Sequence, residues 1–285
     1  MSRLSTAQRV QIVSALVEGN SIRATCRMTG IAKGTVLSLL ANLGKVCAEY
    51  HDEHVRNVTT KRIQCDEIWS FCYGKDKNVS EEQKAEGAGS LWTWTALDAD
   101  SKLIVSYLCG GRDAAWARSF MEDVASRLTT RVQITTDGHR AYVEAVEGAF
   151  GMDVDYAMLI KLYGTPAAPD TRYSPGVCIG TETVVVSGNP DLNHVSTSYV
   201  ERQNLTMRMS MRRFTRLTNG FSKKLENHEH MLAIYFLYYN FCRVHQTLRV
   251  TPAMEAGITH YVWTIEELVK LLDRKSILDG LARAV

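Results

Sequence analysis

Three short motifs each contain a carboxylate that could take part in metal-dependent chemistry. Asp66 lies in Cys-Asp-Glu-Ile-Trp-Ser-Phe, Asp137 in Ile-Thr-Thr-Asp-Gly-His-Arg-Ala-Tyr, and Glu201 in Tyr-Val-Glu-Arg-Gln-Asn-Leu. The two aspartates are on or at the ends of apolar, strand-like segments, and the glutamate opens a basic helix. Three acids brought together from distant positions can hold two Mg²⁺ ions, which can drive in-line attack on a phosphodiester. These residues therefore predict an enzyme that cuts and joins nucleic acid.

Each acid also has a structural interpretation. Asp66 and Asp137 on buried strands would be costly unless they were paired or metal-bound, so a structural salt bridge is the alternative. Glu67 is a possible substitute for Asp66, although the alternation of strand side chains and the motif favour Asp66. A glutamate on a helix is more often a solvated side chain than a metal ligand, so only the motif around Glu201 favours metal binding.

The positions of the charged residues along the chain are more informative about DNA binding than the net charge. The 285-residue chain has a formal net charge of only +2. Residues 1–45 carry six basic side chains against one acid, and residues 202–224 carry seven basic side chains and no acid. Such clusters are typical of DNA-binding surfaces, although a solvated face is the alternative. In the second cluster we predict DNA contacts by Arg202, Arg208, Arg212 and Arg213.

Cysteine usage and hydropathy indicate the cellular compartment of the chain. The seven cysteines are scattered and form no Cys-x-x-Cys pair, which argues against a zinc site or a disulfide framework. This usage fits a reducing cytoplasm. The N-terminus has no signal-peptide core, and the apolar stretch Met231–Phe241 is too short to cross a bilayer. No membrane partner is expected.

The first fifty residues resemble a helix-turn-helix. A capping box at Ser5–Gln8 should start one helix, and Ser21 can cap a second over Ile22–Thr29. Gly30 allows a sharp turn before a third helix from Lys33 to about Leu43. The alternative is a plain three-helix bundle. In the helix-turn-helix interpretation, the major groove is faced by Lys33, Gly34, Thr35 and Ser38.

The remaining chain predicts an α/β catalytic domain with a mixed sheet. Three neighbouring strands, a helix, a strand, a helix and a strand follow in the order of a ribonuclease H-like domain, with helices after them. In that fold Asp66 and Asp137 would meet. The predicted divisions are a helix-turn-helix module (1–50), a linker (51–61), a catalytic domain (62–260) with an insertion at about 160–195, and a C-terminal helical tail (261–285).

The three motifs together resemble the DDE transposase of the bacterial insertion sequence 1 type, the InsAB family. The resemblance covers the chain from about Arg62 to Gly257, and Arg208 matches the family's basic residue seven positions after the glutamate. It implies a ribonuclease H-like fold and DNA strand transfer. It also implies that Asp66, Asp137 and Glu201 hold two Mg²⁺ ions, for which Mn²⁺ can substitute.

The resemblance further implies which partners the chain has. The helix-turn-helix would bind terminal inverted repeats in double-stranded DNA, and the catalytic domain would also engage target DNA. Because two DNA ends must be held at once, we expect a homodimer or a larger assembly.

Two other functions stay open from the sequence. One is a DNA-binding regulator derived from an inactive transposase. The other is a ribonuclease H-like nuclease, either a ribonuclease or a structure-specific nuclease. The intact acid trio disfavours the first, and the N-terminal module disfavours the second.

Overall fold

The computed structural model describes residues 4–164, 176–216 and 218–282, with side chains as far as residue 275. Within these residues the strands are β1 (Arg62–Cys72), β2 (Gly89–Asp98), β3 (Ile104–Gly110), β4 (Val132–Thr136), β5 (Val154–Gly164) and β6 (Val177–Ser187). The helices are α1 (Thr6–Val17), α2 (Ile22–Thr29), α3 (Lys33–His54), α4 (Glu81–Ala85), α5 (Ala114–Arg127), α6 (Ala141–Phe150), α7 (Ser198–Ser210), α8 (Leu225–Phe241), α9 (Pro252–Glu255) and α10 (Ile265–Ala282).

One mixed sheet organises the chain and confirms the predicted α/β class. Its strand order is β3-β2-β1-β4-β5-β6. The first three strands are antiparallel neighbours, β1, β4 and β5 run parallel, and β6 returns antiparallel to β5. The register pairs Gln64 with Thr135. Two residues farther along the two parallel chains, Asp66 and Asp137 therefore lie level with each other.

Helices cover the central strands, which explains their apolar composition. Helices α5 and α6 pack on each other, α5 packs on β3, and α7 packs on β1 and β2. Strand β2 is accordingly buried along most of its length, including Thr93, Trp94 and Thr95. A strand buried on both faces carries a near-continuous apolar run instead of a strict alternation.

The first two helices begin and end where local sequence rules predict. Ser5 and Gln8 form the capping box of α1, and the Ser21 side chain accepts a hydrogen bond from Ala24 N at the start of α2. Gly30 ends α2 in the left-handed conformation (φ 70°), which glycine adopts without a steric penalty. A three-residue connection follows, and the chain bends by 115° between α2 and α3.

Helix α3 is longer than the sequence predicts. It spans 22 residues and runs to His54 through the first part of the predicted linker. The reason is an apolar stripe that continues past Leu43, because Cys47 and His51 follow at intervals of four residues and are buried. His51 Nε2 lies 3.1 Å from the carbonyl oxygen of Ile104, so the end of α3 contacts β3.

The predicted insertion contains the end of β5, which extends to Gly164, and all of β6. Residues 165–175 lie outside the described residues. The connection between β1 and β2 contains the short helix α4, which starts at a capping box of Ser80 and Gln83. Helix α10 forms most of the predicted C-terminal tail, and its Asp273 accepts from Arg9 Nη1 of α1 at 3.1 and 3.2 Å.

Among the described residues, no single helix combines the length and apolarity that a membrane span requires. The bent pair α2 and α3 meets that criterion only when the two helices are taken together.

Helices α3 and α8 approach closely at Gly44, and this contact generates a prediction. A Cβ atom added to Gly44 would lie 2.3 Å from His230 Cβ and 2.5 Å from His230 Cα. Gly44→Ala should therefore separate the helices and lower the free energy of unfolding by about 1–3 kcal/mol. Urea denaturation measures this loss.

Gly34→Ala is the matched control, because it lies in the same helix and a Cβ there meets nothing within 4 Å. It should be neutral or slightly stabilising. Equal stability of Gly44→Ala and the wild type would mean that the two helices are not in such close contact.

Candidate active site

The three predicted acids line one open cavity of about 910 Å³. Asp66 comes from the middle of β1, Asp137 from the residue after β4, and Glu201 from the first turn of α7. The structure thus brings together residues that are separated by 71 and 64 positions in the sequence. Asp66 is partly exposed to the cavity, and so are Asp137 and Glu201.

Strand β1 holds α7 through two side-chain contacts, one made by Gln64 and one by the first acid itself, Asp66. The buried Gln64 Oε1 accepts hydrogen bonds from Tyr199 N at 2.9 Å and from Val200 N at 3.1 Å. It acts as the cap of α7, because Thr197 at the N-cap position makes no side-chain cap bond. Asn204 Nδ2 then donates to Asp66 Oδ2 at 2.8 Å.

Sequence reasoning missed both the cap by Gln64 and the hydrogen bond from Asn204 to Asp66. Gln64 lies two residues before Asp66, and Asn204 lies one helical turn after Glu201. The spacing of each residue from an acid was a usable signal. A glutamine that caps a helix 135 residues later in the chain could not be identified from either segment alone.

The aspartate on β1 sits in an environment that disfavours its charge. Burial raises the pKa of Asp66 to about 7, and the neighbouring charges of Glu67, Asp137 and Glu201 add to the effect. The backbone N–H of Glu67 donates to Asp66 Oδ1 at 2.8 Å and acts in the opposite direction. Within the described residues Asp66 makes no ion pair.

Glu67, the alternative to Asp66, is occupied by a different set of contacts. Arg112 Nε donates to its Oε1 at 2.6 Å, and the Tyr142 hydroxyl donates to its Oε2 at 3.0 Å. Arg112 also lies over the Trp92 ring, and its Nη2 is 4.0 Å from Asp137 Oδ2. Glu67 therefore fits the structural salt bridge that the sequence left open, and Asp66 does not.

The third acid is held by a lysine that the sequence analysis did not single out. Lys161 Nζ on β5 donates to Glu201 Oε2, and Thr197 Oγ1 donates to Glu201 Oε1 at 2.5 Å. Both carboxylate oxygens of Glu201 are thus engaged within the protein.

The predicted DNA-binding residues fall into separate groups. Arg208 lines the cavity, together with Arg112, Arg140 and Arg216. Arg202 and Arg212 are exposed outside it. At the start of α3, Lys33 and Ser38 are exposed and Thr35 is half-buried.

Arg213 does not join the exposed arginines. Its Nη1 donates to the carbonyl oxygen of Asn227, and burial lowers its pKa to about 10. The half-buried Arg213 thus binds the first turn of α8 through its guanidinium, and this placement does not fit the predicted DNA contact.

The donor set suits a hard divalent cation, but the carboxylates are not gathered around one point. Among the described residues, no three His, Cys, Asp or Glu side chains form a group that could hold a metal ion. Carboxylate oxygens are nevertheless the ligands that Mg²⁺ prefers. The buried Asn204 Oδ1 beside Asp66 has no hydrogen-bond partner among the described residues, and the pKa of Asp66 is raised. Both observations fit a place for a cation directly beside Asp66 and Asn204.

Comparison with known proteins gives weak likenesses only. No family model and no curated protein matches the chain. Among solved structures, the piggyBac transposase synaptic complex with hairpin DNA is 10% identical with a TM-score of 0.42, covering 94% of this chain and 69% of that chain. The Mos1 transposase paired-end complex with left transposon end is 12% identical with a TM-score of 0.22, covering 52% and 58%. The pre-cleavage Mos1 transpososome is 7% identical with a TM-score of 0.22, covering 55% and 60%.

The chain thus spans less than two thirds of the length of these Mos1 chains. Likeness at this level assigns neither a function nor a site to the chain, and both have to come from its own residues.

The raised pKa of Asp66 predicts a pH-dependent effect of Asp66→Asn without metal. The unfolded state ionises Asp66 near the ordinary value of 3.8, whereas the folded state does so at about 7. The cost of the charge to folding is therefore absent below about pH 4, grows as pH rises and is complete above about pH 7. Asp66→Asn should stabilise the fold at pH 8 by on the order of 2 kcal/mol and have little effect at pH 4.

Thermal unfolding in a chelator at both pH values measures this difference. Mg²⁺ should then stabilise the wild type at pH 8 more than the variant. If Asp66→Asn raised the stability of the fold by the same amount at pH 4 and at pH 8, the assignment of the raised pKa to Asp66 would be wrong.

The cap of α7 predicts a stability effect at Gln64. Gln64→Leu removes the acceptor from two backbone N–H groups of the first turn and should cost about 1–2 kcal/mol of unfolding free energy. Gln64→Glu keeps an acceptor at the helix N-terminus and should lose less. Urea denaturation of the two variants separates these outcomes, and an equal loss in both would argue against capping as the role of Gln64.

Proposed function

We propose that the chain is a DDE transposase, a polynucleotidyl transferase that cuts DNA at the ends of a mobile element and joins it to a target. The observation that carries the proposal is the shared cavity of Asp66, Asp137 and Glu201, which come from a central strand, the end of its parallel neighbour and a facing helix. Arg208 lines the same cavity, seven residues after Glu201.

The cofactor in this proposal is Mg²⁺, as two ions, with Mn²⁺ able to substitute. When bound, the ions would activate the attacking water or 3′-hydroxyl and stabilise the leaving oxygen. Asp66 and Asp137 would hold them from the sheet, and Glu201 would join from α7. The protein's own contribution is to position these carboxylates and to offset phosphate charge through Arg208 and its cationic neighbours.

DNA recognition is assigned to the N-terminal helices. The three-residue connection and the 115° bend between α2 and α3 agree with the range for a helix-turn-helix. Lys33 and Ser38 are exposed at the start of α3, where such a motif contacts base edges, and Thr35 lies between them. The proposed ligands are terminal inverted repeats, with target DNA bound nearer the cavity by exposed arginines such as Arg202 and Arg212.

The finer assignments follow the sequence motifs. The Asp66, Asp137 and Glu201 motifs support membership of the insertion sequence 1 type, and a synaptic complex with two DNA ends supports a homodimer or larger assembly. We assign the protein to the bacterial cytoplasm, in association with the nucleoid.

A DNA-binding regulator without catalytic activity is the second candidate. It is favoured by the pairing of Glu201 with Lys161, since no three described acids are grouped for a metal ion.

A strand-transfer assay distinguishes the two candidates. With Mg²⁺ and duplexes taken from the DNA on both sides of the gene, the wild type should cleave and join the ends. Asp137→Asn should lower the rate by at least about a hundredfold, because the carboxylate that holds the metal is lost. Asp153→Asn, at an exposed partner of Arg131, is the matched control and should keep full activity.

Two other results would overturn the transposase. Binding of these duplexes without cleavage by the wild type would favour the regulator. Cleavage of RNA–DNA hybrids without any joining of DNA would favour a nuclease.

A further inference from the structure

Lys161 occupies the position beside Glu201 that a cation ligated by that carboxylate would need. Its ammonium donates to Glu201 Oε2, and the two side chains are about equally accessible, at 32% and 37%. Glu201 is the one member of the acid trio that contacts a lysine in the described part of the chain. The strand β5 therefore supplies this helix acid with an internal positive charge.

Lys161 carries the positive charge that is ordinary for a lysine, and its ammonium forms an ion pair with Glu201. An ammonium and a divalent ion carry the same sign of charge, so they cannot both sit against Glu201 without strong repulsion. Binding of a metal ion by Glu201 would displace the ammonium.

A displaced Lys161 has a second place to go within the same cavity. Arg208 and Arg216 also line it, so Lys161 shares this cavity with two further cations. The side chain of lysine is a compact charge on a flexible four-carbon stem with three donors, which suits a phosphate oxygen. Tyr163, two residues along β5, lines the cavity as well, so this strand borders the space that a DNA backbone would enter.

We propose that Lys161 stands in for a divalent cation at Glu201 and, once an ion binds that carboxylate, moves to a DNA phosphate beside Arg208. This role rests on the proposed strand-transfer function. It makes Lys161 a positioning residue that couples metal binding to DNA binding, so that the cavity gains affinity for DNA when it is loaded with metal.

The first test measures metal binding on the full chain without DNA. Mn²⁺ is titrated into the wild type, Lys161→Met, Lys161→Gln and Glu201→Gln, and free Mn²⁺ is followed by its electron paramagnetic resonance signal. Both Lys161 variants should bind Mn²⁺ roughly tenfold more tightly, because the competing charge is gone. Lys270→Met is the control, since Lys270 pairs with Glu266 on the surface of α10, and it should not change the affinity.

The second test measures DNA affinity by fluorescence anisotropy at constant salt, in a chelator and then in Ca²⁺, with a duplex taken from the flanking DNA. In the chelator, Lys161→Met should bind DNA like the wild type, because the wild-type lysine is engaged with Glu201. In Ca²⁺ the wild type should gain affinity, and Lys161→Met should gain several-fold less. A lysine that simply contacted phosphate would weaken binding in both conditions.

The outcomes separate the two proposals. If Glu201→Gln weakens Mn²⁺ binding but the Lys161 variants bind like the wild type, the role of Lys161 is wrong and the metal site stands. An equal loss of DNA affinity with and without Ca²⁺ also overturns it. If the wild type binds no Mn²⁺ that Asp66, Asp137 or Glu201 substitutions affect, both the role of Lys161 and the proposed function fail.

Discussion

The hydrogen bonds between β1 and α7 are the constraint on which the candidate site depends. Gln64 satisfies two N–H groups of the first helical turn, and Asn204 reaches back to Asp66. In the strand the two contacts are two residues apart, at Gln64 and at the first acid itself, and in the helix Glu201 lies between them. A strand has a repeat of two residues and a helix one of 3.6, so two contacts fix both the position and the rotation of α7. The placement of Glu201 thus follows from bonds that its own side chain does not make.

Negative charge is the second constraint, because four carboxylates border one cavity. The protein offsets them unequally. Glu67 has Arg112 and Tyr142, and Glu201 has Lys161 and Thr197. From the described part of the chain Asp66 receives only neutral donors, and its pKa is raised, while Asp137 has Arg112 at 4.0 Å. The uncompensated negative charge is therefore concentrated where β1 and β4 lie side by side. A bound cation would stabilise this part of the cavity more than the rest.

Local features of the sequence predicted the elements well, and distant contacts explain what it missed. The caps at Ser5 and Ser21 depend on neighbours three residues away, so the sequence shows them directly. The neighbourhood of Asp66 and Asp137 follows from strand order. By contrast, Lys161 meets Glu201 across 40 residues, and Arg213 turns inward to a carbonyl oxygen on another segment. A count of basic residues cannot tell a buried guanidinium from an exposed one. The length of α3 was underestimated because the polar residues near its end obscured a buried stripe.

The uninterrupted course of α3 has a mechanical consequence. At 1.5 Å per residue, its 22 residues make a rod of about 33 Å, with Lys33 exposed at one end and His51 against β3 near the other. Packing on α8 through Gly44 holds this rod along its length. If the first residues of α3 bind a specific DNA sequence, the length of this helix fixes how far that sequence lies from the candidate active site. The distance between the bound sequence and the cleaved phosphodiester would then be set by a rigid helix and not by a flexible linker.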